Sequence, residues 1–324
     1  MKKGFTLIEL VMVIVILGII SMFGADLYSQ IYRSYVHTRA LNQLESRTQN
    51  AITLISNRLE YRIYGSTIGR IAADNNFINL AGITPAYDII EWIGQSVETK
   101  DINNLNPGWS GFADYNSLPD PLPRPGTDYN ITTQGSALTN ISDILKNIDR
   151  NHADGAFVVV FSTLANDYDG TNINTAYGYS GTGNNADRVY VASVREPRND
   201  EELVISNYPE HLDDTGGQVR EFSDQYYVAH SAYAIYPVGT QVVNYGGQPS
   251  RNFDLMLSYN YRPWDGETYN GENTPSSLIA EDVSMFLFRD DGGAVAMKLC
   301  MRDNGRNFDP NQLDMIMCKS QVVY

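Results

Sequence analysis

The chain has 324 residues, 43% of them hydrophobic and 19% charged, with a mean hydropathy of -0.30. That is enough apolar content to bury a core, which excludes a disordered or collagen-like chain. A net charge of -15 opposes a surface built to grip nucleic acid, since repulsion would resist every phosphate. Two cysteines cannot form a four-thiolate zinc site, and His37, His152, His211 and His230 show no H-x-x-x-H or H-E-x-x-H spacing.

The charge is unevenly placed. Residues 1–70 carry eight basic and four acidic side chains, leaving 15 basic and 34 acidic in residues 71–324, so a segment of net +4 is joined to one of net -19. The first segment opens MKKGFTLIELVMVIVILGIISMFGADLYSQ, and residues 5–25 hold a single charge, Glu9. As a helix they rise roughly 31 Å, enough to cross a bilayer. Lys2 and Lys3 precede the span and Asp26 follows it, which predicts a cytoplasmic amino terminus and an exported acidic part. Ser21, Gly24 and Ala25 offer the alternative of an ordinary secretory cleavage site. Against that alternative stands Glu9, because a lone carboxylate in an apolar span costs about 2.5–3.5 kcal/mol and calls for a partner.

The string G-F-T-L-I-E after two lysines resembles the class III leader of type IV pilins and type II secretion pseudopilins. The resemblance covers about the first 30 residues. It implies a leader of residues 1–4, cleavage after Gly4, N-methylation of the new first residue Phe5, and a register role for Glu9 against the Phe5 amine of a neighbouring subunit. It further implies other pilin or pseudopilin subunits, a prepilin peptidase and an inner-membrane assembly platform as partners. A Glu9 that snorkels to the interface of a plain single-pass anchor is the competing reading.

Past the span, apolar residues recur at Leu27, Ile31, Tyr35, Leu41, Leu44, Ile52, Ile55, Leu59 and Ile63, and no proline interrupts residues 5–64. This predicts one stalk helix over 5–64, with Gly65 and Ser66 as its stop. Many major pilins carry a helix-melting proline just past the apolar core; here Asp26 stands in that neighbourhood, with Gly18 and Gly24 as the only breakers.

Residues 65–324 are predicted to form the exported head. The region 66–155 is rich in Asn, Gly, Pro and Asp and reads as loop, with short helical turns at 86–93 and 142–148. Strand-like runs follow at 156–164, 188–194, 225–238, 253–261 and 283–288. A long helix, then irregular sequence, then successive strands implies an α+β fold: a membrane-spanning amino-terminal helix packed on an antiparallel sheet. DDGG at 290–293 predicts a hairpin turn into AVAMKLCMR, and LDMIMCKSQVVY forms a further strand. Cys300 and Cys318 fall on these two strands, where a bridge would close the loop 300–318; two reduced buried thiols are the alternative. A carboxy-terminal disulfide loop also resembles that of many pilins, and the pattern 277–299 resembles larger minor pilins and pseudopilins of the W and J types.

Candidate chemistry in the head is sparse. Asp167 and Asp169 in NDYDGTNIN are candidate Ca²⁺ ligands, but Asn172 and Gly178 stand where an EF-hand loop needs Gly and Glu, so a solvated turn competes with a different calcium loop. Asp213 with Asp214, Asp265 with Glu267, and Asp290 with Asp291 are weaker acidic pairs. His211 near Asp213, and His230 with some serine, lack a nucleophile elbow. No catalysis and no resident cofactor is expected. Twenty-two tyrosines leave an adhesive or sugar-stacking surface open, so a membrane-tethered adhesin or sugar-binding module is the alternative to a filament subunit.

Overall fold

The computed structural model describes residues 6–100, 107–117, 128–149, 151–162, 173–195, 197, 199–207, 211–212, 218–219, 223–245, 248–303 and 315–324. One α-helix, α1 (Leu7–Leu59), opens the chain, and it runs without a break through Gly18, Gly24 and Asp26. Its 53 residues correspond to about 80 Å. Beyond Val36 it becomes one-sided: Ala40, Leu44, Thr48, Ala51, Ile52, Ile55 and Leu59 are buried at the three- and four-residue spacing of one helical face.

That face lies on an eight-stranded antiparallel sheet. The strands in chain order are β1 (Ile68–Arg70), β2 (Phe77–Asn79), β3 (Ile89–Ile93), β4 (Tyr129–Thr132), β5 (Val158–Phe161), β6 (Ala192–Val194), β7 (Glu202–Asn207), β8 (His211–Leu212), β9 (Gln218–Val219), β10 (Tyr226–Ala229), β11 (Ala232–Tyr245), β12 (Gln248–Tyr261), β13 (Ser276–Asp291), β14 (Ala294–Arg302) and β15 (Ile316–Val323). The large sheet has the order β15-β14-β13-β12-β11-β3-β1-β2, a second sheet the order β10-β5-β6-β7-β4, and β8 and β9 form a two-stranded sheet among the described residues.

The period of two along each strand divides the large sheet into two faces. Ile90, Trp92, Ile235, Leu255 and Leu257 join the helix stripe in one core, whereas Ile89, Ile93, Ala232, Ala234 and Tyr261 join a second core with the smaller sheet and α2 (Leu138–Ile148). At the far end a bulge between Val283 and Met285 resets the alternation, so that Phe286 and Phe288 still face the helix. The β13–β14 turn uses Gly292 and Gly293 at φ 68° and 90°, the two left-handed positions that a tight two-residue hairpin demands.

Two polar clasps hold the layers. Arg62, just past α1, donates to the carbonyls of Leu59 at 3.2 Å, Gly293 at 2.9 Å and Tyr324 at 3.1 Å, tying the helix end to the β13–β14 turn and to the residue after β15. Between the two sheets Glu91 is buried against Arg70, which donates to it through Nε, while the Tyr261 hydroxyl donates to its other oxygen at 3.0 Å. Arg70 also donates to the Tyr179 carbonyl at 3.0 Å, and the Tyr179 hydroxyl to the Ser66 carbonyl at 2.7 Å. Burial, reinforced by the Glu91 charge, pushes the Tyr179 and Tyr261 phenols well above their ordinary range, so both remain donors.

The α+β class expected from the sequence stands, with three corrections. The region 66–155, read as loop, contributes β1 to β4 and α2; its short elements carry no periodicity a sequence can show. Residues 89–93, expected to lie in a helical turn, form β3, whose five residues are all buried because both faces of the sheet are covered. The run 225–238 is two strands, β10 and β11, which leave His230 and Ser231 as the crossing from one sheet to the other. Residues 142–148 do form helix, within α2.

Cys300 and Cys318 stand directly opposite each other across β14 and β15 and are bridged, with Cα atoms 4.1 Å apart. Replacing both by serine should lower stability by about 3 kcal/mol, measured by denaturant unfolding, and reduction should raise the intact mass by two hydrogen atoms. Glu91→Gln strands the Arg70 charge between two sheets and should cost about 3–5 kcal/mol in the same assay, whereas Glu45→Gln, on the exposed pair with Lys319, should cost under about 1 kcal/mol.

Candidate functional site

The part of the molecule without an internal partner is the amino-terminal half of α1. Every residue from 6 to 35 is exposed, including Leu10, Ile14, Leu17, Ile20, Phe23 and Leu27. The segment is about 45 Å of bare apolar rod, and α1 is long and apolar enough to cross a membrane. Leucine, isoleucine and valine on all sides of a helix are stable only in lipid or against other helices.

Gly4 and Phe5 lie outside the described residues. Immediately after them Thr6 caps the helix, and the Glu9 carboxylate receives the Thr6 amide at 3.0 Å and the Thr6 hydroxyl at 2.8 Å. Glu9 thereby folds back over the first turn, the end at which unsatisfied amides gather and negative charge is favoured. A carboxylate held there lies four residues beyond Phe5, the point where a new amino terminus would begin.

The docked half of α1 rests on aromatic side chains. Trp92 stacks on Tyr233 with centroids 5.8 Å apart, and the Arg58 guanidinium lies 6.0 Å from the Tyr233 ring. Exposed ion pairs join Glu45 to Lys319 at 2.9 Å and Arg47 to Glu281 at 3.4 Å, one on each side of the helix.

The other residues singled out in the sequence divide clearly. Asp167, Asp169, Asp213 and Asp214 lie outside the described residues. His230 does meet a serine: its Nδ1 is 3.0 Å from Ser96 Oγ, but the pair is 3% and 0% exposed at the crossing between the sheets, and burial pushes the imidazole below its ordinary range. It locks a corner and has no approach for a substrate. Asp290 accepts the Gly293 amide at 2.9 Å within the β13–β14 turn. Asp265 pairs with Arg188 at 3.3 Å, and burial raises its carboxyl.

One cluster escaped sequence reading. His152 lies between Asp149, 2.7 Å from Nδ1, and Glu267, 2.8 Å from Nε2, while Arg262 donates to both oxygens of Asp154 at 3.2 Å. Burial opposes the Asp154 charge, yet the Arg262 bonds hold the carboxyl below its ordinary range. The partners are 108 and 115 residues apart, so no spacing rule could join them. Among the described residues no group of three or more His, Cys, Asp or Glu side chains converges as a metal site.

Comparison with known proteins bears on the exposed end of the helix. Residues 1–25 match the family model described as the prokaryotic N-terminal methylation motif. No curated protein and no solved structure matches the chain. The leader motif and the bare apolar helix that follows it agree in position and in chemistry: the chain carries a type IV pilin-like class III leader.

Proposed function

We propose that the protein is a minor pilin or pseudopilin, a structural subunit of a type IV pilus or type II secretion filament. The observation that carries this reading is the unpartnered apolar half of α1, whose first part, to residue 25, lies within the methylation motif. A prepilin peptidase cleaves after Gly4 on the cytoplasmic side and Phe5 is methylated. The helix then leaves the inner membrane to pack among the helices of other pilin subunits on the assembly platform, with the head outside.

The role proposed for Glu9 follows from electrostatics. Cleavage frees an α-amino group with an ordinary pKa near about 7.7–8, which is cationic at neutral pH. A neighbouring subunit staggered along the filament brings that amine to Glu9, and a mismatch would strand a charge among apolar helices. The carboxylate therefore sets register more than it adds stability. The residues that hold Glu9 in the isolated chain are its own Thr6 amide and hydroxyl, both of which a stronger cationic partner displaces. The width of the head supports a tip or low-copy position of the W and J kind, because its two stacked sheets add bulk beside the stalk helix. The role is structural, without catalysis or resident cofactor.

Gly4→Val should leave full-length precursor in the membrane, read by immunoblot mobility and by amino-terminal sequencing; a normal mature terminus beginning with methylated Phe5 would refute the leader assignment. Glu9→Ala should be cleaved and methylated as usual yet be depleted at least tenfold from sheared filaments; incorporation equal to the parent would remove the register role.

A further inference from the structure

A second feature of the head lies apart from the exposed half of α1. A cleft of about 470 Å³ opens between the connector that follows α2 and the connector from β12 to β13. That is within the roughly 300–1,000 Å³ typical of small-molecule sites. One wall carries Asn151 and His152; the other carries Asn260, Thr268, Glu272 and Asn273. We propose that this cleft is a binding site for a neutral saccharide.

The walls are built in advance. His152 is fixed on both ring nitrogens by Asp149 and Glu267, and Glu267 also accepts the Arg262 amide at 2.7 Å. Asn151 reaches across to donate to the Asn273 carbonyl at 2.9 Å, and the Thr274 hydroxyl donates to the Thr268 carbonyl at 2.8 Å. At the base, Asn260 takes the left-handed backbone at φ 52°, with its amide held by Ser231 Oγ at 2.9 Å. Such a conformation is costly for a residue with a side chain and persists only where the surroundings impose it.

Against this fixed frame, the side chains of Asn260, Thr268, Glu272 and Asn273 have no hydrogen-bond partner among the described residues. Two amides, a hydroxyl and a carboxylate supply donors and acceptors together, the mixture that vicinal hydroxyl groups satisfy, because each sugar hydroxyl both donates and accepts. The charge selects further. Glu267 and Glu272 line the cleft, Asp149 stands behind His152, and residues 71–324 carry a net -19, so an anionic ligand is repelled. A metal ion lacks the three converging ligands it needs among the described residues.

The proposal is independent of filament assembly. Full-length protein in lipid nanodiscs, free of glycoside detergent, is titrated with methyl α-glucopyranoside, methyl β-galactopyranoside and N-acetylglucosamine, with glucuronate as the anionic control, and read by saturation-transfer NMR. At least one neutral probe should receive saturation at millimolar concentration. The double variant Thr268→Val with Asn273→Ala, its unfolding midpoint unchanged, should weaken that probe at least about tenfold. Glucuronate should receive none. Absence of transfer to every neutral probe, equal binding by the variant, or equal binding of glucuronate would each overturn the assignment. A change of midpoint in the variant redirects the test to Asn273→Asp, which keeps shape and removes the amide donor, with the same two readings.

Discussion

Everything in the molecule depends on one helix serving two solvents. From Ala40 to Leu59 α1 buries a stripe against the large sheet, and each of its larger apolar side chains contributes about 1.5–3 kcal/mol of burial. From residue 6 to 35 the same helix buries nothing within the chain. The head is thus attached to a rod whose other half must find lipid or fellow helices. Because no proline or loop separates the halves, the head cannot swivel freely, and its orientation in an assembly is transmitted directly from the helix.

The head answers this demand with stiffness. Its large sheet is covered on both faces, which gives β3 five consecutive buried residues and leaves Glu91 with no route to water. A carboxylate in that position is tolerable only with Arg70 and the Tyr261 hydroxyl in place. The pair therefore fixes the register of β1 against β3, because any slip between these neighbouring strands separates two charges in a region that cannot solvate them, and the Arg70 bond to the Tyr179 carbonyl ties them to the segment packed on that face. The Arg62 clasp and the Cys300–Cys318 bridge do similar work at the other end, where β15 is the outermost strand, paired with β14 and packed on the helix.

The cleft belongs to a different economy of the fold. It sits where two connectors meet, and its frame is made by Asp149, His152, Asp154, Arg262 and Glu267, which come from distant stretches of chain. Charged residues are there spent on rigidity while neighbouring amides face solvent without partners.

By itself the sequence determined the features whose physics is local. The apolar run of 5–25, the amphipathic stripe that follows it and the GFTLIE motif need only helical periodicity and hydropathy to be read, and the DDGG turn and the alternation around each cysteine need only strand periodicity and turn chemistry. Those elements stand in the structure where described, from α1 to the bridged β14–β15 pair. Tertiary structure decided the rest. Residues 89–93 became a strand because two layers cover them, His230 met Ser96 because the chain crosses between sheets there, and His152 met Glu267 across 115 residues. Burial on both faces erases the alternation that marks a strand, and contacts between distant segments leave no period at all, so only the folded chain could bring them together.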